Sequence, residues 1–215
     1  QAVARSKQAT DLWAEVLATA IGRAAPRSFC DGAVYMGPIV VLRGTQVATD
    51  YYSALLDEMR ARVAASRAAV PGERLRLYWE GMPVWGRLRQ LSDLLARNRT
   101  CVVASTYCNS WIFSDFDPDA PLESMARAYL SIFINRDDAY KERYIARLAE
   151  EFGIDGVVYH AARTCPNNTN SHYNLPRRLQ AAGVPGIVMD GDLNDLRCFS
   201  DEQSTTLLEA FMETL

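Results

Sequence analysis

His160, Arg163 and Cys165 stand close together at the end of an apolar run, and Pro166 with two asparagines breaks the chain just after them. An apolar stretch of strand length that ends in such a loop delivers its side chains just beyond the carboxyl end of a strand. Parallel sheets bind ligands at that edge. Cys165 would there offer a soft, metal-competent sulfur. The neighbouring Arg163 favours the thiolate, and Pro166 limits the motion of the loop. The same thiol could instead be a nucleophile with His160 or His172 as its base, although no third group to orient that base can be identified. A thiol that only fills space is the remaining reading.

The other candidates have plain explanations beside the chemical ones. His160 and His172 are the only histidines, and a histidine at a strand end is commonly just hydrogen-bonded structure. Asp190, Asp192 and Asp195 could hold a hard cation, yet Arg197 lies close by, so capping and an Asp–Arg pair account for them more simply. Trp79, Tyr107, Trp111, Phe113 and Phe116 could stack on a planar ligand or fill the core and cover the sheet edge.

These groups need a scaffold, and the 215-residue chain is long enough to bury a sizeable core. With 26 acidic and 23 basic side chains the net charge is −3, so no broad basic field points to nucleic acid. No apolar run approaches the roughly 18 residues of a membrane span, and no segment reads as a secretion signal. The five cysteines, Cys30, Cys101, Cys108, Cys165 and Cys198, are scattered without C-x-x-C spacing. That pattern fits a reducing, cytoplasmic setting and disfavours a metal site complete within the chain.

Residues 1–72 read as helical. Leu12, Val16, Leu17 and Ile21 keep a 3.6 period after a cap at Thr10 or Asp11. The segment from Phe29 to Leu42 is either a kinked helix or a helix ending in a strand. Thr49 and Asp50 would cap a long helix that presents Tyr52, Leu55, Leu56, Met59 and Val63, and Pro71-Gly72 marks a boundary. Residues 73–215 then alternate strand and helix. Strands are expected at 75–79, 101–105, 157–160 and 187–190, and Ser200 and Gln203 form a capping box for the last helix. The expected fold is α/β: a Rossmann-like, flavodoxin-like domain with a parallel sheet of about four strands under an N-terminal helical layer. Its converging loops would bring Gly81, Pro83, Thr106, Tyr107, His160, Arg163, Thr164 and Cys165 to one rim. No G-x-G-x-x-G or Walker loop occurs, which weakens dinucleotide and nucleotide readings.

Four segments in order carry a family resemblance: Trp79 to Pro83; Val102 to Tyr107; Asp155 to His160 with Arg163, Thr164 and Cys165; and Gly183 to Gly186 with Asp190, Gly191, Asp192, Asp195, Leu196, Arg197 and Ser200. In these the chain resembles the 2-hydroxyacyl-CoA dehydratase / benzoyl-CoA reductase family. The resemblance implies a subunit of two Rossmann-like domains that pairs with a homologous second subunit as a heterodimer. It also implies a [4Fe–4S] cluster bound by three cysteines per subunit, an acyl-CoA substrate, and a separate ATP-hydrolysing iron–sulfur activator that supplies one electron. A ketyl radical of the thioester then allows water to leave.

On this resemblance Cys165 matches the cluster ligand of the second domain, and the other two ligands belong to a first domain that the chain is expected to lack. Residues 1–72 would then be a helical layer or a linker from that domain. The other implied activities are ATP-dependent reduction of an aromatic acyl-CoA and a double-cubane reductase of small molecules. A non-enzymatic scaffold is the alternative outside the family's chemistry. One thiolate cannot hold a cubane, so the chain alone is expected to be colourless and inactive.

Overall fold

A computed structural model describes residues 1–165 and 173–215. Four helices lead: α1 (Ala2–Ala18), α2 (Phe29–Tyr35), α3 (Gly37–Val41) and α4 (Gln46–Ala64). The rest alternates as β1 (Leu75–Glu80), α5 (Leu88–Arg97), β2 (Thr100–Ser105), α6 (Thr106–Asn109), α7 (Pro121–Leu130), α8 (Asp138–Phe152), β3 (Gly156–Ala162), α9 (Leu175–Ala181), β4 (Gly186–Gly191) and α10 (Asp201–Thr214). This is the expected α/β architecture.

All strand pairs are parallel, and the strand order is β2-β1-β3-β4. Period-2 alternation divides each strand between two packed faces. Leu75, Leu77, Trp79, Val102 and Val158 pack with α5 and α10, whereas Tyr78, Cys101, Val103, Val157 and Tyr159 pack with α8 and α9. Strands covered on both sides explain why the strand sequences are apolar nearly throughout. After β1 the chain therefore leaves to one face and after β3 to the other. Strand order reverses between these two neighbours, which makes their carboxyl ends a topological switch point, the place where open α/β sheets leave a crevice.

The N-terminal helices form a third core. Trp13, Val16, Leu17, Ile39, Tyr52 and Met59 are buried together there. The layer is tied to the sheet by hydrogen bonds as well as packing: Trp13 Nε1 donates to the Cys108 carbonyl at 3.0 Å. Arg27, 2% exposed, donates to the Val103 carbonyl at 2.7 Å on the edge strand β2, and so covers a strand edge that would otherwise be open to pairing.

Local details correct the expected caps. α1 begins at Ala2, so Thr10 is an interior, fully buried position whose hydroxyl accepts from Arg43. α4 is capped by Thr45, whose side chain accepts from the Ala48 amide, rather than by Thr49 or Asp50. Asp and Thr are common caps but also serve inside helices when a partner is near, and tertiary context decided here. Val63, expected on the buried face of α4, is 49% exposed. The segment 29–41 is helical on both sides of Met36, with Pro38 in the first turn of α3, the kinked-helix alternative. A 3-10 turn at Trp85–Arg87 leads into α5.

Candidate functional site

The expected crevice lies at the carboxyl edge of the sheet, beside the loops after β1 and β4 and the first residues after β3. β1 ends in Glu80, and Gly81 follows with φ +92°, a conformation that glycine adopts without steric cost. The turn it makes is pinned at the Met82 carbonyl, which lies 3.0 Å from Trp79 Nε1 and 2.6 Å from His160 Nδ1. Pro83 is buried behind it. The Trp85 amide donates to the Leu193 carbonyl at 3.2 Å, joining this loop to the one after β4.

His160 is 1% exposed, and its ring sits under the crevice against Trp79. Burial pushes its pKa below the ordinary value, with the Met82 carbonyl and Asp192 opposing that shift. A neutral ring keeps its proton on Nδ1 for the Met82 carbonyl and turns Nε2 outward as a bare acceptor. Nε2 has no hydrogen-bond partner among the described residues. It faces Gly191, where a Cβ would come within 2.8 Å of it. His172 lies outside the described residues.

Thr106 caps the other wall from below. It is 6% exposed, its hydroxyl donates to the Glu80 carboxylate, and Tyr78 Oη lies 2.9 Å away. Thr has one hydroxyl proton, so Tyr78 donates to Thr106 and Thr106 to Glu80 in series. Tyr107, half-buried, meets Trp85 edge-on at 5.5 Å and closes the crevice on the β2 side. Thr106 and His160 thus lie beneath the rim, whereas Arg163 is exposed on it.

The segment carrying Cys165 is held on three sides. The Arg163 amide donates to the Gly191 carbonyl at 3.1 Å, and the Cys165 amide to the Ala162 carbonyl at 3.2 Å, which closes a turn. Thr164 donates its amide and its hydroxyl to Asp192 Oδ2 at 2.9 and 2.7 Å. The Thr164 hydroxyl, backed by amides of Thr164, Asn194 and Asp195, holds the Asp192 carboxyl down at about 2. Asp195 forks onto Arg197 at 2.8 and 2.7 Å, the Asp–Arg pairing that competes with a cation-site reading. Beyond Arg163 a groove of about 460 Å³ runs between β4 and the start of α10, lined by Asp190, Arg197, Cys198, Phe199 and Gln203.

Cys165 itself is half-buried at the carboxyl edge of β3. The other thiols differ in setting. Cys101 is 1% exposed, its Sγ is 3.4 Å from the Arg27 carbonyl, and burial pushes it up to about 12. Cys108 lies in the core, 3.3 Å from the Gly32 carbonyl. Cys30 and Cys198 are half-buried away from β3. Among the described residues no group of three His, Cys, Asp or Glu side chains could hold a metal ion. The chain thus brings a single thiol to the carboxyl edge of β3, which fits one corner of a cluster, not a complete ligand set.

A four-stranded parallel sheet covered by helices on both faces makes the chain an α/β protein, and sequence comparison gives its family. The model of the family "2-hydroxyglutaryl-CoA dehydratase, D-component" matches residues 1–215, and the chain belongs to that family. It is similar to the alpha subunit of lactoyl-CoA dehydratase of Anaerotignum propionicum, with 28% identity over 94% of this chain and 49% of the relative. It is 30% identical to the (R)-phenyllactyl-CoA dehydratase alpha subunit of Clostridium sporogenes over 98% and 51% of the two chains. Against a benzoyl-CoA reductase subunit of Thauera aromatica the identity is 26% over 97% and 51%. The chain spans about half the length of the curated relatives it matches.

Sequence reading named the loops but missed Asp192 as the residue gripping the Cys165 turn. The signal was the pairing of an Asp just after one strand with a Thr just before the cysteine of the adjacent strand.

Proposed function

We propose that the chain is part of a 2-hydroxyacyl-CoA dehydratase subunit, an enzyme that eliminates water from a 2-hydroxyacyl-CoA. Residues 73–215 would be its Rossmann-like C-terminal domain, and residues 1–72 a helical layer leading from a first domain. The observations that carry the reading are a half-buried thiol just beyond the carboxyl end of β3 in a parallel sheet, and a match to the dehydratase family from end to end.

In this reading Cys165 is one ligand of a [4Fe–4S] cluster whose other ligands come from elsewhere in the full subunit. When bound, the cluster supplies a single electron at low potential, received from a separate ATP-hydrolysing activator, so that a ketyl radical of the thioester can form and the 2-hydroxyl leave. The chain's own part is positional. The Met82 carbonyl, held by His160 and Trp79, fixes the β1 wall, and Tyr107 with Trp85 shelters the crevice from water, which a reactive radical requires. Arg163 leaves an exposed cation at the mouth for an anionic part of the acyl-CoA. A homologous second subunit is the partner, as the subunit names of the relatives support. The setting is the cytoplasm; no helix among the described residues is long and apolar enough to cross a membrane.

A second reading, reduction of an aromatic acyl-CoA, is favoured by the likeness to the benzoyl-CoA reductase subunit. The full subunit, its partner, the activator and a reductant, given a 2-hydroxyacyl-CoA or an aromatic thioester, separate the two. Formation of an enoyl-CoA from the first alone supports the dehydratase; turnover of the aromatic thioester alone overturns it.

A further inference from the structure

We propose that Asp192 is a positioning residue that fixes the backbone position from which Cys165 presents its sulfur. The purpose of that role rests on the reading of Cys165 as a cluster ligand, but the geometry stands by itself. Asp192 is 3% exposed and accepts four hydrogen bonds. Its Oδ1 takes the amides of Asn194 and Asp195, each at 3.3 Å, which locks the carboxylate to its own loop after β4. Its Oδ2 takes both donors of Thr164, the residue before Cys165. A local turn of the Asp192 loop would need only the first pair of bonds. The second pair crosses from β4 to β3 and has no function within the Asp192 loop.

The consequence for Cys165 follows from which peptide planes are fixed. The Thr164 amide is committed to Asp192 and the Cys165 amide to the Ala162 carbonyl. Both peptide units preceding the Cys165 Cα are therefore held, and with them the position of that Cα. A ligand sulfur must be held within a fraction of an ångström of its productive position, and outer partners commonly do this for the ligating residue. Asp192 supplies that support through Thr164.

The test compares Asp192→Asn, Thr164→Val and Thr164→Ser in the full chain. Amide hydrogen exchange is read residue by residue, and iodoacetamide alkylation of Cys165 is followed by mass spectrometry with the half-buried Cys30 of α2 as internal reference. Asn keeps one acceptor oxygen, so Asp192→Asn preserves one pair of bonds and sets an amide NH₂ against the other. The Thr164 amide should then exchange about tenfold faster, and the Cys165 alkylation rate should rise against that of Cys30. Thr164→Ser, which retains both donors, should behave as the parent. Unchanged exchange at Thr164 and unchanged alkylation in Asp192→Asn would overturn the proposal. So would faster exchange spread evenly along β3 and β4, which would make Asp192 a general structural residue. If Asp192→Asn does not fold, Thr164→Val carries the same measurement. Iron content of the full-length subunit, purified without oxygen, is measured in parallel: its absence would defeat the cluster reading while leaving the exchange and alkylation result intact.

Discussion

Arg76 and Glu73 meet at 2.6 Å with both side chains only 2% exposed, and this pair joins the helical layer to the sheet. Arg76 rises from β1 and donates to the carbonyls of Ala20, Ile21 and Gly22 just past α1, and to that of Phe152 at the end of α8. Glu73 accepts from the Ala25 amide. One cation thus satisfies the orphan carbonyls at two helix ends, where the helix dipoles favour positive charge.

Arg76→Met would leave Glu73 buried without its counter-charge and several carbonyls unpaired. The expected loss is about 3–5 kcal/mol of folding stability, to be read from the midpoint of urea unfolding. A loss within experimental error would show that the layer is held by apolar packing alone.

Gly191 is small because His160 lies against it. In Gly191→Ala the new Cβ would sit 2.8 Å from His160 Nε2 and 3.3 Å from the Phe199 ring. The Met82 carbonyl pins the imidazole from the other side, so the ring cannot simply move away. Overpacking of this kind costs about 1–3 kcal/mol. A melting temperature equal to that of the parent would mean that the ring has room to move.

The buried His160 also gives stability a pH dependence of known sign. Its folded pKa is lowered, chiefly by burial, so near neutral pH the ring is uncharged in both states and contributes no slope. As pH falls through the unfolded value of about 6.5, the unfolded chain takes up a proton that the folded one resists, and stability declines. His160→Gln should flatten the stability curve between about pH 7 and pH 5. The Asp192 carboxyl, lowered to about 2, adds stability above the ordinary carboxylate range that is lost only at more acidic pH. The two contributions are therefore separable by titration. An identical slope in the parent and in His160→Gln would contradict the neutral, buried assignment.

Much of the scaffold was legible in the sequence because its signals are local. The apolar runs at Leu75, Val102, Val157 and Ile187 are bounded by turn residues and separated by helical periods, which implies a parallel sheet. The polar interior was not legible. No local signal marks Arg76, Glu73, Glu80 and Arg27 as buried. Their burial is set by carbonyls and hydroxyls far away in sequence, such as Ala20 for Arg76, Thr106 for Glu80 and Val103 for Arg27. The crevice could be located from the loops. Which side chains lie on it and which beneath it depended on the alternation that turns His160 toward Trp79 and on the inward-facing hydroxyl of Thr106.

The most direct measurement is the iron content of the full-length protein, purified without oxygen, in the Cys165→Ser and Cys198→Ser forms. The expected result is a loss of most of the iron and of the brown absorption in Cys165→Ser, with both retained in Cys198→Ser. Iron and colour undiminished in Cys165→Ser would contradict the assignment of this thiol as a cluster ligand.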